Sequence, residues 1–181
     1  MPAVAASWSA LDSLPPVPMP DGMRAAVLVP IWEDGDELRL ILTRRPDDMR
    51  THAGDVVFPG GFIERDDDGP VATAIREAWE EVGIPPDHVE VLGGLEPVST
   101  RSAEMLIVPV VARIRRPHRL IPEPGEVAAI IEPTITELLD DGQWVTEMWG
   151  GHRLWFYEFP QGMLWGATAR MVRNLLRRFR V

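Results

Sequence analysis

Arg76-Glu77-Ala78-Trp79-Glu80-Glu81-Val82-Gly83-Ile84 decides how this chain folds. Val71 to Val82 has helical composition, and Gly83 suits a carboxyl-terminal cap, where glycine takes the left-handed conformation that closes a helix. On such a helix Glu77, Glu80 and Glu81 stand at i, i+3 and i+4, so their carboxylates are expected to share one face. Like charges held that close raise one another's pKa unless something positive intervenes. Magnesium answers the need: it takes oxygen ligands and is commonly held by one or two carboxylates plus substrate phosphates. Taken alone, Glu-x-x-Glu-Glu is more often a solvated acidic face. Arg76, the capping Gly83 and the paired Gly60-Gly61 upstream shift that balance, because backbone at paired glycines can approach a metal or phosphate with no Cβ in the way.

Outward from this helix the pattern turns to strands. Arg24 to Trp32 and Glu37 to Thr43 are apolar, β-branched runs joined by Glu33-Asp34-Gly35-Asp36, a hairpin signal. A short strand is expected over Asp55 to Phe58, stopping at Pro59-Gly60-Gly61. Further strands are expected at Val89 to Val98, Met105 to Arg113, Gln143 to Trp149 and Arg153 to Phe159. A short helix is expected at Ile135 to Leu139, and a last helix from about Met163 to Phe179. Strands mixed with a few helices, without strict βαβ alternation, favour an α+β sandwich over a doubly wound sheet. Residues 1–22 contain Leu14-Pro15-Pro16-Val17-Pro18-Met19-Pro20, which cannot hold a helix. They are expected to form an arm packed through Trp8 and Leu11 onto a domain spanning 23–181.

The 181 residues suffice for one domain, and 45% hydrophobic content supplies its core. Twenty-eight acids against 18 cations leave a net charge of −10, and every cation is an arginine. That balance argues against sequence-independent nucleic-acid binding, which needs a cationic footprint. An anionic small substrate remains compatible if a metal supplies positive charge. The absence of cysteine rules out disulfides, zinc–thiolate sites and a thiol nucleophile, and fits a cytoplasmic setting. The amino terminus lacks the charged-then-apolar pattern of a secretory signal, and the apolar run Met105 to Ala112 is too short to span a bilayer. The oligomeric state is not readable, though homodimers are common.

The segment Arg76 to Ile84 resembles the second half of the Nudix hydrolase signature. Counting back from Arg76 puts Phe62 in the glycine slot and Asp68 in the glutamate slot, with Gly61 one residue early. One branch of the superfamily, the coenzyme A pyrophosphatase type, carries such an extra residue. The chain is similar to that branch in Ile41-Leu42-Thr43-Arg44-Arg45, in Met49-Arg50-Thr51-His52-Ala53-Gly54-Asp55 and in Phe58-Pro59-Gly60-Gly61. The likeness continues in Pro109-Val110-Val111, Gly125-Glu126-Val127 and Leu164-Trp165-Gly166-Ala167-Thr168-Ala169. Asp55 stands where the branch has glutamine, and the loop Thr100 to Glu104 departs from its Ser-Gly-aromatic pattern.

The resemblance implies an α/β/α sandwich with a mixed sheet under a loop–helix–loop. It also implies hydrolysis of a nucleoside diphosphate derivative, with coenzyme A or an acyl derivative the leading substrate. ADP-ribose or a dinucleotide cofactor is the enzymatic alternative, and a non-catalytic nucleotide-binding module is a third. Glu77, Glu80 and Glu81 would bind magnesium or manganese, and Arg76 would position the helix by bonding a carboxylate. Either Asp67 or Asp68 fills the glutamate slot. The general base is open among Glu80, Glu81 and Glu126, with Glu104 a further candidate more readily taken as a solvated loop carboxylate. Arg44, Arg45, Gly60 and Gly61 are expected at the phosphates. His52 is read as ordering its loop. Trp79 is expected to anchor the core, and so are Trp144, Trp149, Trp155, Phe156, Tyr157 and Phe159, which could otherwise stack on adenine. Arg170, Arg173, Arg177, Arg178 and Arg180 are expected to form a solvated basic face.

Overall fold

The computed structural model describes residues 6–100 and 105–180. Its spine is β1 (Met23–Asp34), which pairs in parallel with β8 (Leu106–Ile114) and antiparallel with β2 (Glu37–Leu40) and β5 (Gly60–Phe62). With β6 (Val89–Gly94) and β7 (Val98–Ser99), both antiparallel to β8, these strands make a six-stranded mixed sheet. Two three-stranded sheets flank it. One runs β4 (Val56–Val57), β3 (Leu42–Arg44), β9 (Ala129–Ile131); the other runs β10 (Trp144–Trp149), β11 (His152–Phe159), β12 (Gly162–Leu164).

Both faces of the large sheet are covered because β1 and β8 are apolar at successive positions, which point to opposite sides of a strand. Ala26, Leu28, Val108, Val110 and Ala112 pack against Ala74, Ala78 and Val82 of α1 (Pro70–Val82). Val29, Ile31 and Val111 face the opposite core. There they meet Ile135 and Leu138 of α2 (Ile135–Leu139) and Ala169, Val172 and Leu175 of α3 (Gly166–Leu176). This is the α+β sandwich expected, with α1 on one side and α2 and α3 on the other.

Pro30 lies mid-strand, where a missing N–H normally breaks a ladder. Its carbonyl accepts from Ile41 N at 3.1 Å, so its nitrogen points toward the same edge. At that edge β1 changes partner, from β5 at Ala25–Val27 to β2 at Ile31–Asp34, and the lost donor falls in the gap. The same break makes two strands, β2 and β3, of the single strand expected at Glu37 to Thr43: Ile41 turns to Pro30 between them. Leu28 N donates to Pro59 O at 2.8 Å, which brings Gly60-Gly61 alongside β1 as the short strand β5. Glycine-rich β5 carries no strand signal, and three-residue β9 is too short to show one.

Other boundaries also differ from expectation. The strand foreseen from Val89 stops at Gly94, where Gly93 takes φ +155° and the register shifts, and pairing resumes at Val98. The last helix begins at Gly166, not Met163, because Gly162–Leu164 pairs with β11. The arm docks as expected: Trp8–Leu11 forms a 3-10 turn, Leu11 is buried, and the Arg113 guanidinium covers the Trp8 ring at 4.2 Å. Pro15 O then accepts from Gly94 N at 2.9 Å. No helix among the described residues is long and apolar enough to cross a membrane.

Candidate active site

α1 starts without a side-chain cap at Gly69, but Pro70 at its first position has no N–H to satisfy. It ends at Gly83, whose φ of +72° is the left-handed cap that its sequence position promised. Arg76 ties the helix to the acidic loop before it. Its Nε and Nη2 reach Asp67 Oδ1 and Oδ2 at 3.0 and 2.9 Å, and Nη2 also donates to Phe62 O at 3.1 Å. Asp67 further accepts from Thr73 Oγ1 at 2.8 Å and Glu64 N at 2.9 Å. The bidentate bond to Arg76 holds its carboxyl well below the usual carboxylate range. Asp68 is exposed, so Asp67 is the loop carboxylate that fastens the arginine.

Glu77 and Glu81, one helical turn apart, point together toward Gly60-Gly61, and Glu126 joins them from another loop. Carboxylate oxygens of the three lie within 4.8 Å of one another. Glu81 is only 6% exposed, and its pKa is pushed up to about 8, by burial first and then by the negative charges of Glu77 and Glu126. A bond from the Gly60 backbone and the charge of Arg45 pull the other way. Burial also raises Glu77, against a 2.9 Å bond from Arg76 Nη1. The glycines make this approach feasible: a Cβ on Gly61 would fall 2.5 Å from Glu77 Oε1, and one on Gly60 would fall 2.6 Å from Ala26 O. Hard oxygen donors, a concave glycine floor and unrelieved repulsion fit a divalent cation.

Glu80 stands apart. At 100° per residue it lies on the other side of Glu77 from Glu81, and its half-exposed carboxylate bonds Arg76 Nη1 at 3.3 Å. The single shared face expected of the three glutamates therefore splits into an inner pair and a rim residue.

Glu126 is positioned by backbone alone. Glu123 N donates to Glu81 O at 2.8 Å, Val127 N closes back on Glu123 O at 2.8 Å, and Ala128 N donates to Arg44 O at 2.8 Å. These bonds pin the turn between the end of α1 and β3 and leave the Glu126 side chain at the solvent edge of the cluster. Glu104 lies outside the described residues.

Beside the carboxylates runs a cleft of about 360 Å³, lined by Gly60, Gly61, Phe62 and Arg45 together with Trp165, Gly166, Ala167, Thr168, Arg170 and Met171. Arg45 lines it, with its Nε buried and unbonded. Arg44 turns instead to Asp47 Oδ1 at 2.5 Å. Asp55, the departure from glutamine, has a definite task here. It accepts from Trp165 Nε1 at 2.9 Å and bonds His52 Nδ1 at 3.1 Å, joining the loop before β4 to the start of α3. His52, at φ +54°, orders that loop as expected.

Three aromatic expectations fail. Phe156 is half-buried outside the core, where its ring stacks on that of Trp165. Trp79 is 51% exposed, because the buried stripe of α1 is Ala74, Ala78 and Val82 and position 79 falls beside it. Trp149 is also exposed, at the open end of the β10–β11 hairpin, whereas Trp144, Tyr157 and Phe159 are core. Nor is the terminal basic face uniformly solvated. Arg173 lies over the rings of Trp155 and Trp144 at 4.1 and 5.1 Å and pairs with Asp141, as does Arg180.

An arginine-clamped helix that presents carboxylates over a glycine strand defines the class. Residues 22–149 match the NUDIX domain model, and the chain belongs to that family. It is a Nudix hydrolase, one of the enzymes that cleave pyrophosphate bonds in nucleoside diphosphate derivatives. It is 39% identical to "Uncharacterized Nudix hydrolase NudL" of Photorhabdus laumondii over 93% of this chain and 92% of that one. It is 37% identical to "Nudix hydrolase 15, mitochondrial" of Arabidopsis thaliana over 81% of this chain and 55% of that protein. Among solved structures, a MutT/nudix family protein from Enterococcus faecalis superposes with a TM-score of 0.59 at 19% identity, covering 94% of this chain and 66% of that one. A C. elegans Ap4A hydrolase gives 0.52 at 17% identity, over 64% of this chain and 82% of that one. At such identities these structures show the shared fold.

Proposed function

We propose that the chain hydrolyses the pyrophosphate of coenzyme A or an acyl derivative, giving 4′-phosphopantetheine and adenosine 3′,5′-bisphosphate, with magnesium or manganese as cofactor. The observation that carries the reading is the cluster of Glu77, Glu81 and Glu126 at the head of a cleft whose walls are largely apolar. Apolar walls suit a long, weakly polar substituent on the diphosphate, and the sequence likeness to the coenzyme A branch points the same way. Glu77 and Glu81 would hold the cation, with Glu80 contributing from the rim, and the bound ion would neutralise the diphosphate and lower the pKa of water. Glu126, the member of the inner cluster open to solvent, is the preferred base. A water oxygen bonds to one phosphorus, Glu126 takes the water's proton, and the bridging P–O bond breaks to release the other phosphate. Arg45 and the Gly60-Gly61 backbone would steady the non-bridging oxygens. We place this activity in the cytoplasm.

Ser99, Thr100 and Met105 line the cleft, and the departure of the sequence between them from the branch pattern favours a second reading with ADP-ribose or a dinucleotide as substrate. A panel of coenzyme A, ADP-ribose and dinucleotides with either metal, scored by product mass, separates the two. Coenzyme A left whole while ADP-ribose is cut sinks the substrate proposal. Nucleotide binding without metal-dependent turnover on any member would point to a binding module.

A further inference from the structure

We propose that β10 is a dimerisation edge, pairing antiparallel with β10 of a second copy of this chain about a twofold axis at Thr146. β10 lies at the end of its sheet, with β11 on one side and no strand on the other among the described residues. The turn fixes its phase. Gly150 and Gly151, at φ +53° and +80°, close a two-residue hairpin on the pair Trp149–His152. Bonded and non-bonded pairs alternate from there, so Trp144, Thr146 and Met148 aim their backbone groups away from β11. Trp144 agrees with that phase, since its N–H donates outward to Asp141 O. No backbone group among the described residues meets those of Thr146 or Met148 on that side.

Other edges of the fold are covered. Pro15 O accepts from Gly94 N beside β6, and Leu40 N beside β2 donates to Pro133 O. β10 has no such cover, no proline and no bulge, the usual protections of an exposed edge. It also projects from the body of the protein. Every residue from Val145 to Trp149 is exposed, with Val145, Met148 and Trp149 at 61%, 64% and 59%. Successive side chains point to opposite faces, so this strand is bare on both, and its apolar groups gain from a neighbouring strand on either.

A second copy is the occupant that this edge specifies. An antiparallel ladder between identical strands is symmetric, so the open groups of one copy meet those of the other. Opposed residues share a face, which puts the centre at mid-strand on Thr146 or Glu147. Centred on Glu147, the ladder would set two carboxylates directly opposite each other. Centred on Thr146, it sets Glu147 against Val145 and Trp144 against Met148. Thr146 then exchanges bonds with its copy, and Met148 N–H reaches Trp144 O. Beyond the ladder, the second copy's Trp149 falls beside Gln143, at an open groove that Gln143 and Val145 line with Phe156, Met163 and Trp165.

Sedimentation of the full chain at about 0.15 M salt, where charge beyond roughly 8 Å is screened, reads the association directly. Wild type is expected to reach twice its 20.3 kDa chain mass as concentration rises, with a Kd on the order of 10 μM, the weak regime of a small interface. Thr146→Pro removes the central donor at an edge position where a sheet tolerates proline. It should weaken association at least about tenfold, with the fold intact by circular dichroism. Two variants of Val145 read the register independently of that proline. Val145→Glu sets like charges opposite each other and Val145→Lys sets opposite ones, so the lysine variant should dimerise about tenfold more tightly than the glutamate variant. Wild type that stays monomeric at about 0.5 mM, equal association of the two Val145 variants, or dimers that survive both Thr146→Pro and Val145→Glu overturn the proposal.

Discussion

The carboxylate cluster and the cleft beside it were built by different means. The α1 cluster is a local device: Glu77, Glu81 and Arg76 lie within six residues, and helical geometry alone brings the two glutamates together. The α3 lining of the cleft is assembled from distance. Trp165 is held by Asp55 across 110 residues of sequence, and Phe156 of β11 stacks parallel to the Trp165 ring at 6.3 Å. Chemistry written at helical spacing survives as a motif, whereas recognition assembled by packing leaves only scattered residues.

The strongest way to break this contrast is Glu81→Gln. Loss of a carboxylate from the proposed metal site should lower kcat by about two or more orders of magnitude. The Glu81 carboxyl, with its pKa pushed up to about 8, is largely protonated in the metal-free fold at neutral pH but ionises on unfolding. Wild type therefore loses stability as pH rises from the ordinary 4.5 toward 8, and the variant does not. The variant's metal-free melting temperature should match that of wild type at acid pH and exceed it above that range. Magnesium should raise the melting temperature of wild type more than that of the variant. Near-normal turnover would show that the α1 cluster is not the chemical one.

Asp67→Asn tests the clamp behind that cluster. It should lower the melting temperature by roughly 4–8 °C and reduce activity with it. The Asp67 carboxyl titrates well below its ordinary 3.8, so its stabilisation is complete above that value and fades as pH falls through the lowered one. Acid unfolding of the variant should therefore lose part of its pH dependence below about pH 4. An unchanged acid profile would deny Asp67 the role.

Gly61→Ala is expected to cost about tenfold in kcat, since its Cβ must displace the Glu77 carboxylate while the strand itself survives. In the cleft the expected changes are smaller and fall on binding. Trp165→Phe removes the bond to Asp55 and should raise KM roughly threefold with kcat unchanged, a split that steady-state kinetics reads directly. The smallest effect belongs to Trp79→Ser. At half exposure it should shift stability by less than about 1 kcal/mol, where a true core tryptophan would cost about 3–5. A loss in the larger range would restore the anchor role that the structure removes.

How much could be read in advance follows the same division. α1, its Gly83 cap, the β1–β2 hairpin and the docking of Trp8 and Leu11 were legible, because each depends on neighbours along the chain. β5 and β9 were not, since three residues are too few to show a strand period and each exists only through pairing with a distant segment, β5 with β1 and β9 with β3. The orientation of Trp79 and the separation of Glu80 from Glu81 needed the helix phase relative to the sheet, which residue spacing leaves free by tens of degrees.

The sequence by itself determined the class of this protein and the helix that carries its proposed hydrolytic centre, because periodicity and glycine placement are local constraints that fix which carboxylates lie a turn apart. Tertiary structure decided which of them form the inner cluster, that Asp67 and not Asp68 secures Arg76, and that Glu126 arrives from 45 residues beyond Glu81. It also decided that an arginine from the last helix faces the same cleft. Those outcomes rest on long-range backbone bonds and buried packing, and no spacing along the chain encodes them.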